Sequence, residues 1–218
     1  QIHIRKVPST PDDPGQAVVK GLAAMLSEIN ANFSNLCEIV HGTTVGSNTI
    51  LQKAGARTGL ITTKGFRDVL EIGRIRTPTM FDLSWEKPEP LVPRRHRLEV
   101  GERMGADGFP VVDLPEDEVL SAARRLVDEG IESVAVCYIN SCINPLHERR
   151  SVEILEKNFP DLLITASCDV LPEMKEYERT STTVVNAYLL SAMRRYLANL
   201  TQKLAEVGMT APLLVVAS

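Results

Sequence analysis

His41-Gly42-Thr43-Thr44-Val45-Gly46-Ser47-Asn48 sets small and hydroxyl-bearing residues between an apolar strand signal at Glu38-Ile39-Val40 and a helical signal over 49–54. Such a loop offers free backbone N–H groups at a helix start, short side-chain donors and the positive end of a helix dipole. That combination suits an anion or a polarised carbonyl. The competing reading is that Thr43, Thr44 and Ser47 only cap the helix. Thirteen residues on, Leu60-Ile61-Thr62-Thr63-Lys64-Gly65-Phe66-Arg67-Asp68 repeats the pattern: strand, hydroxyls, glycine, new helix. Two such loops in adjacent βα units are expected on one edge of a parallel sheet, where ligands of open α/β folds bind. Neither loop is a G-x-G-x-x-G or a G-x-x-x-x-G-K-[ST], so spacing alone names no phosphate fingerprint.

Other chemistry-bearing groups are fewer. His41 ends a strand, where an imidazole is either a satisfied structural donor or, in a cleft, a group that orients a carbonyl or phosphate. Asn48 opens or caps the next helix. Asp68, Glu71 and Arg74 follow at i, i+3 and i+6. Asp68 and Glu71 share a face that would suit paired-carboxylate chemistry, though a solvated first turn fits them better, and Arg74 at the helix exit suits bidentate recognition of a carboxylate or phosphate. Glu176-Tyr177-Glu178-Arg179 precedes four hydroxyl residues, 180–183, which are poor helix formers. His147-Glu148 is no H-E-x-x-H, because Ser151 stands at the i+4 site. Asn144-Pro145 with Glu148 reads as a capped helix start.

The elements that must position these groups alternate. A strand is expected over 2–7. Asp12-Asp13-Pro14 then starts a helix carrying Val18, Leu22, Met25, Leu26 and Ile29. After the two βα units, residues 75–93 hold four prolines and the only tryptophan, Trp85, and read as an irregular excursion. Residues 96–104 and 109–112 read as a β-hairpin around Gly105-Ala106-Asp107-Gly108. A helix from 116 to Gly130, an apolar strand over 134–139, a helix over 145–158, a strand over 162–166, a helix over 180–207 and a strand over 213–216 follow. The expected fold class is α/β: a mostly parallel sheet with flanking helices and an excursion over 75–112.

Bulk composition agrees with a folded domain. The chain has 218 residues, 44% hydrophobic and 24% charged, with net charge −4 and pI about 5.7. That balance argues against nucleic acid or an anionic membrane as partner. The basic run Arg94-Arg95-His96-Arg97 is flanked by acids and reads as a solvated face. No apolar run reaches the roughly 18–20 residues of a membrane span. Cys37, Cys137, Cys142 and Cys168 are widely spaced, Cys37 and Cys137 in or beside apolar strands, and read as buried reduced thiols in a cytoplasmic protein. A chain that opens in a strand without methionine and closes on a strand with nothing to cover it reads as a fragment.

His41-Gly42-Thr43-Thr44-Val45-x-x-Asn48, Gly55-Ala56-Arg57-Thr58 and Ile61-Thr62-Thr63-x-Gly65-Phe66-Arg67-Asp68-Val69-Leu70-Glu71-Ile72-Gly73-Arg74 resemble the N-terminal region of the hydantoinase A/oxoprolinase family. The likeness resumes at Asn144-Pro145-x-His147-Glu148. It returns at Leu171-Pro172-Glu173-x-x-Glu176-Tyr177-Glu178-Arg179-x-Ser181-Thr182-Thr183-Val184-Val185-Asn186-Ala187-Tyr188, so that it spans 1–218. The resemblance implies an actin-like ATPase (ribonuclease H-like) architecture, in which an upstream Gly-Gly-Thr loop and a downstream Asn-Gly-Gly motif, both outside this chain, grip the nucleotide. It also implies ATP- and Mg²⁺-dependent phosphorylation of the carbonyl oxygen of a hydantoin, 5-oxoproline or similar cyclic amide, followed by hydrolysis, usually with a hydantoinase B-type partner. Alternatives are a subunit of an ATP-dependent ketone carboxylase, or an assembly module docking through the Trp85 segment and the hairpin. On the resemblance, Thr43, Arg74 and Arg179 are the catalytic candidates. His41, Gly42, Thr44, Asn48, Tyr177 and Glu178 are the substrate or phosphate contacts. No metal ligand is assigned, neither ATP nor Mg²⁺ is expected on the isolated chain, and homo-oligomerisation is left open.

Overall fold

The computed structural model describes residues 2–10, 13–74, 82 and 84–217. In chain order the elements are α1 (Pro14–Glu28), β1 (Ile39–Thr43), α2 (Val45–Leu51), β2 (Thr58–Thr63), α3 (Val69–Ile72), β3 (Arg97–Val100), β4 (Arg103–Met104), β5 (Pro110–Val112), α4 (Glu116–Asp128), β6 (Ser133–Cys137), α5 (Leu146–Asn158), β7 (Leu163–Ala166), α6 (Ser167–Val170), α7 (Glu176–Glu206) and β8 (Leu213–Ala217). Where the sequence reads as one region, the chain groups into two compact units, residues 1–54 with 192–218 and residues 55–191.

The unit 55–191 is built on a fully parallel sheet in the order β3-β2-β6-β7. Its central strands β2 and β6 are buried along their whole length, as the continuous apolar run over 134–139 predicts. Period-two alternation deals their side chains to two covered faces. Ile61, Val134 and Val136 pack with Val119, Ala123 and Leu126 of α4 and Ile154 and Leu155 of α5. Leu60, Ala135 and Cys137 pack on the other face with Leu70 of α3 and Val184 and Ala187 of α7. Gly59 is required here: a Cβ on it would lie 2.9 Å from the Leu126 methyls, holding α4 off the sheet. Helix α4 stops where expected, with Gly130 at φ +73° and the Ile131 amide donating to the Leu126 carbonyl at 3.0 Å, a Schellman closure.

The other unit pairs β1 with β8 in a two-stranded parallel sheet, Ile39 opposite Leu213. Its core joins Ile39 to Tyr196, Leu200 and Leu204 of α7, with Val18, Val19 and Leu22 of α1 packed against them. Pro14 takes the first helical position as predicted, but the Asp13 side chain makes no cap. It pairs instead with Lys203 at 2.8 Å.

Several expectations change. Residues 2–7 form no strand. The loops at 41–48 and 62–66 do not share a sheet edge, since β1 pairs with β8 and β2 lies between β3 and β6. The expected hairpin shrinks to β4 and β5, because 97–100 joins the main sheet beside β2. The hydroxyls 180–183 sit inside α7, which already begins at Glu176. Thr183 donates back to the Arg179 carbonyl at 2.6 Å and Thr180 meets Cys137 Sγ of β6 at 3.1 Å, so two of the four find partners, one within the helix and one on the sheet. His96 and Arg97 are buried, which splits the supposed solvated basic face; Cys37 is exposed; β8 leaves Leu214, Val215 and Val216 half exposed. The first residues of the predicted 75–93 excursion, 75–81, lie with 83 outside the described residues.

Candidate functional site

In the unit 1–54/192–218, β1 delivers the exposed loop. Thr43 Oγ1 accepts the Val45 amide at 3.2 Å, and Thr44 occupies the N-cap position without a side-chain bond. Asn48 is neither the helix opener nor its cap: it lies inside α2, with only a 3.5 Å contact from Nδ2 to Thr44 Oγ1. Gly42 is exposed, and a Cβ there would meet nothing within 4 Å. His41 is half-buried, and burial lowers its pKa below 6.5, which keeps the ring mainly neutral at pH 7. Its Nε2 lies 2.6 Å from the Tyr196 hydroxyl. Thr44 and Asn48 are exposed neutral donors beside the neutral His41 ring, a set that suits a carbonyl or one edge of a phosphate rather than a whole triphosphate.

In the unit 55–191, α3 ends at Gly73, φ +58°, and releases Arg74. Its guanidinium donates twice to Glu178, Nε to Oε1 at 2.8 Å and Nη2 to Oε2 at 2.5 Å. Arg74 holds the Glu178 carboxyl below the usual range. The bidentate geometry predicted for Arg74 thus exists, with Glu178 as its occupant; an anionic ligand would have to displace it. Asp68 and Glu71 are likewise engaged by arginines, Asp68 by both nitrogens of the Arg94 fork at 2.8 and 2.9 Å and Glu71 by Arg97 at 3.0 Å, so they form no catalytic acid pair. Arg179 departs furthest from its expected role on developing charge. It is 1% exposed, with Nη1 donating to the Glu173 carbonyl at 2.7 Å and Nη2 to the Tyr138 carbonyl at 2.9 Å. Backbone oxygens already hold it. The structure thus gathers Arg74, Tyr177, Glu178 and Arg179 around the start of α7, and His41, Gly42, Thr43, Thr44 and Asn48 around β1–α2; each group stands in its own unit.

A third assembly escaped the sequence. At the carboxyl ends of β2, β3, β6 and β7, where open parallel sheets gather polar groups, Glu102 is fully enclosed. It accepts from Thr63 Oγ1 and pairs with His147 Nδ1 at 2.7 Å, and burial raises its pKa. Thr63 Oγ1 in turn accepts the Ile139 amide at 3.0 Å. Beside it, buried Glu148 accepts the Tyr138 amide at 2.7 Å, Ser167 Oγ at 2.6 Å and the Cys168 amide at 2.8 Å. It is a core tie between strand ends and not the predicted cap. Burial also pushes the Cys168 thiol up to about 12, which keeps it protonated and inert. Asn140, at φ +60°, and Asn144 fasten the β4–β5 hairpin over these strand ends by donating to the Met104 and Gly108 carbonyls at 2.9 and 2.8 Å. Asn-Pro-x-His-Glu was the one signal available; nothing local marks Glu102.

A parallel sheet covered on both faces, with polar groups drawn to its carboxyl edge, makes this an α/β protein. The sequence profile of the hydantoinase/oxoprolinase N-terminal region matches residues 1–159, and that of hydantoinase/oxoprolinase matches 179–218. The chain belongs to the hydantoinase/oxoprolinase family. It is 38% identical to an uncharacterised protein of Methanocaldococcus jannaschii, over 95% of this chain and 30% of that one. It is 33% identical to the caprolactamase alpha subunit of Pseudomonas jessenii, over 97% and 31%. The crystal structure of the ATP-dependent caprolactamase of that organism superposes with TM-score 0.90 and 31% identity, covering 99% of this chain and 32% of that one. Nucleotide-free acetone carboxylase superposes at 0.82 and 27% identity, covering 93% and 31%. The chain spans about 30% of the length of these relatives.

Proposed function

We propose that this chain works within an ATP-dependent hydrolase of small cyclic amides. The observation that carries the reading is the likeness, at TM-score 0.90 and 31% identity over 99% of the chain, to an ATP-dependent caprolactamase. ATP would supply a phosphoryl group that turns the amide oxygen from a poor leaving group into a good one. The chain's own part is binding and charge stabilisation. Gly42, whose missing Cβ leaves open space, lets a ligand approach the β1–α2 backbone. Thr43, Thr44 and Asn48 offer neutral donors there, with His41 as a neutral imidazole. Arg74 is the cation of choice for an anionic oxygen, in exchange with Glu178, and Arg179 positions the Tyr138 carbonyl and the approach to α7. Mg²⁺ would accompany the ATP, held largely by phosphate oxygens and water; no group of three or more His, Cys, Asp or Glu among the described residues could hold a metal.

The exposed hairpin side chains Phe109, Val111 and Val112, beside exposed Ile143 and Leu146, form the apolar surface we assign to a hydantoinase B-type partner. No helix among the described residues is long and apolar enough to cross a membrane, and we place the protein in the cytoplasm. Acetone carboxylase, the second structural likeness, favours ketone carboxylation as the other reading. One assay separates them: the intact protein and its partner are given ATP with five- to seven-membered lactams and hydantoins, or with ketones and bicarbonate. Ring-opened product formed in step with ADP is expected. ADP formed only with ketone and bicarbonate selects the carboxylase, and ring opening without ATP overturns both.

A further inference from the structure

Residues 87–91, Lys-Pro-Glu-Pro-Leu, run as a strap alongside the first turns of α7, and between them lies a cavity of about 250 Å³. Pro88 and Pro90 fix their own φ angles and bring no N–H, so this wall is stiff and poor in donors. Leu70 and Leu91 with Val184 and Val185 complete an apolar lining, broken by the hydroxyls of Tyr177 and Ser181. Neither hydroxyl has a hydrogen-bond partner among the described residues. For Ser181 that is informative. A serine inside a helix ordinarily donates back one turn, as Thr183 does to the Arg179 carbonyl at 2.6 Å, and Ser181 does not. The two charged residues at the cavity, Lys87 and Glu89, cancel. Both walls are anchored: Leu70 and Val184 belong to one core cluster, and Gly73 lies against the Tyr177 ring.

From a small, neutral, apolar cavity with two unpartnered hydroxyls, we propose that this strap–α7 pocket binds the ring of a small uncharged cyclic amide, with Tyr177 and Ser181 hydrogen-bonding its amide edge. The inference rests on the cyclic-amide reading and adds to it the place where the ring is held. At about 250 Å³ the pocket falls below the roughly 300–1,000 Å³ of sites for drug-sized ligands. It suits a single ring, and its balanced charge favours an uncharged lactam over 5-oxoproline with its carboxylate.

The test uses ring size. Ser181→Leu removes no existing bond and fills the pocket from the helix side; Tyr177→Phe and Ser181→Ala delete one hydroxyl each. In the intact protein, saturation-transfer NMR with ε-caprolactam and 2-pyrrolidinone, without ATP, is expected to show both rings binding to the wild type. S181L should lose caprolactam by tenfold or more and pyrrolidinone by less. Y177F and S181A should each weaken both by about three- to tenfold, the size of one net hydrogen bond. A thermal melt confirms folding, and the deletion variants serve if S181L does not fold. Equal binding in wild type and variants, or no binding to the wild type, overturns the pocket. Because binding is read without ATP, that result stands apart from the assay of ATP-coupled ring opening, whose failure would overturn the hydrolase instead.

Discussion

The molecule places a histidine near the end of a strand or the start of a helix twice, and treats the two oppositely. His41 on β1 is half-buried, leans on the Tyr196 hydroxyl at 2.6 Å, and opens a loop whose glycine and hydroxyls face solvent. His147 at the start of α5 is buried against Glu102, in a knot that also ties Thr63, Glu148, Ser167 and three backbone amides. In the first region Gly42, Thr44 and Asn48 stay exposed, within reach of a ligand. In the second nearly every donor has met an acceptor, and low dielectric makes each unmade bond costly. Polar residues of the same types are therefore accessible to a ligand where they are exposed and committed to the core where they are enclosed.

The largest effect expected is in the knot. Glu148→Ala strands the Tyr138 and Cys168 amides and the Ser167 hydroxyl, and should destabilise by about 3–5 kcal/mol, read from urea midpoints. A loss below about 1 kcal/mol would mean that water reaches the strand ends and that the contrast is overdrawn. The site candidates, Thr43 in one unit and Arg74 in the other, should answer in rate. Thr43→Ala and Arg74→Ala in the intact protein should each slow ATP-dependent turnover by roughly 10²–10³-fold, while Thr43→Ala moves stability by no more than about 1 kcal/mol, the scale of a helix cap. Unchanged turnover with lowered stability would put the loop on the same footing as the knot.

Two smaller effects are pH-dependent and opposite in sign. Burial raises Glu102 above its ordinary 4.5, so its contribution is full below that value and falls as pH rises through the raised one. Glu102→Gln carries no charge, and its stability relative to wild type should improve from acid to neutral pH, read from melts at several pH values. Burial lowers His41 below 6.5; its contribution is full above 6.5 and erodes as pH falls through the lowered value. His41→Gln should flatten that slope, read from melts at several pH values. Matching slopes in wild type and variant would show that His41 is no more buried than it is in the unfolded chain.

Much of the element order was legible because it depends on neighbours in the chain. The apolar run of β6, the spacing of Val119, Ala123 and Leu126 on α4, the glycine after it and Pro14 at the start of α1 announce their own conformations. The family likeness was legible as well, in motifs that needed no fold. Partnership was not. Arg97-Leu98-Glu99-Val100 alternates as well for a hairpin as for a parallel edge strand, and the backbone bonds that β1 makes with β8 are chemically the same as those it could have made with β2. Only packing across the whole unit chose between them.

Charge and burial were decided later still. The letters show Glu102, His147, Glu148 and Arg179 as four ionisable side chains scattered between positions 102 and 179, any of which could have met water. Tertiary structure brings three strand ends and the first turn of α5 around them, removes the solvent, and makes their hydrogen bonds obligatory. Desolvation depends on the atoms packed around a group, and those come from residues far apart in the chain. The sequence by itself therefore determined the strands, the helices and the family; which polar groups remain open to a ligand was decided by the fold.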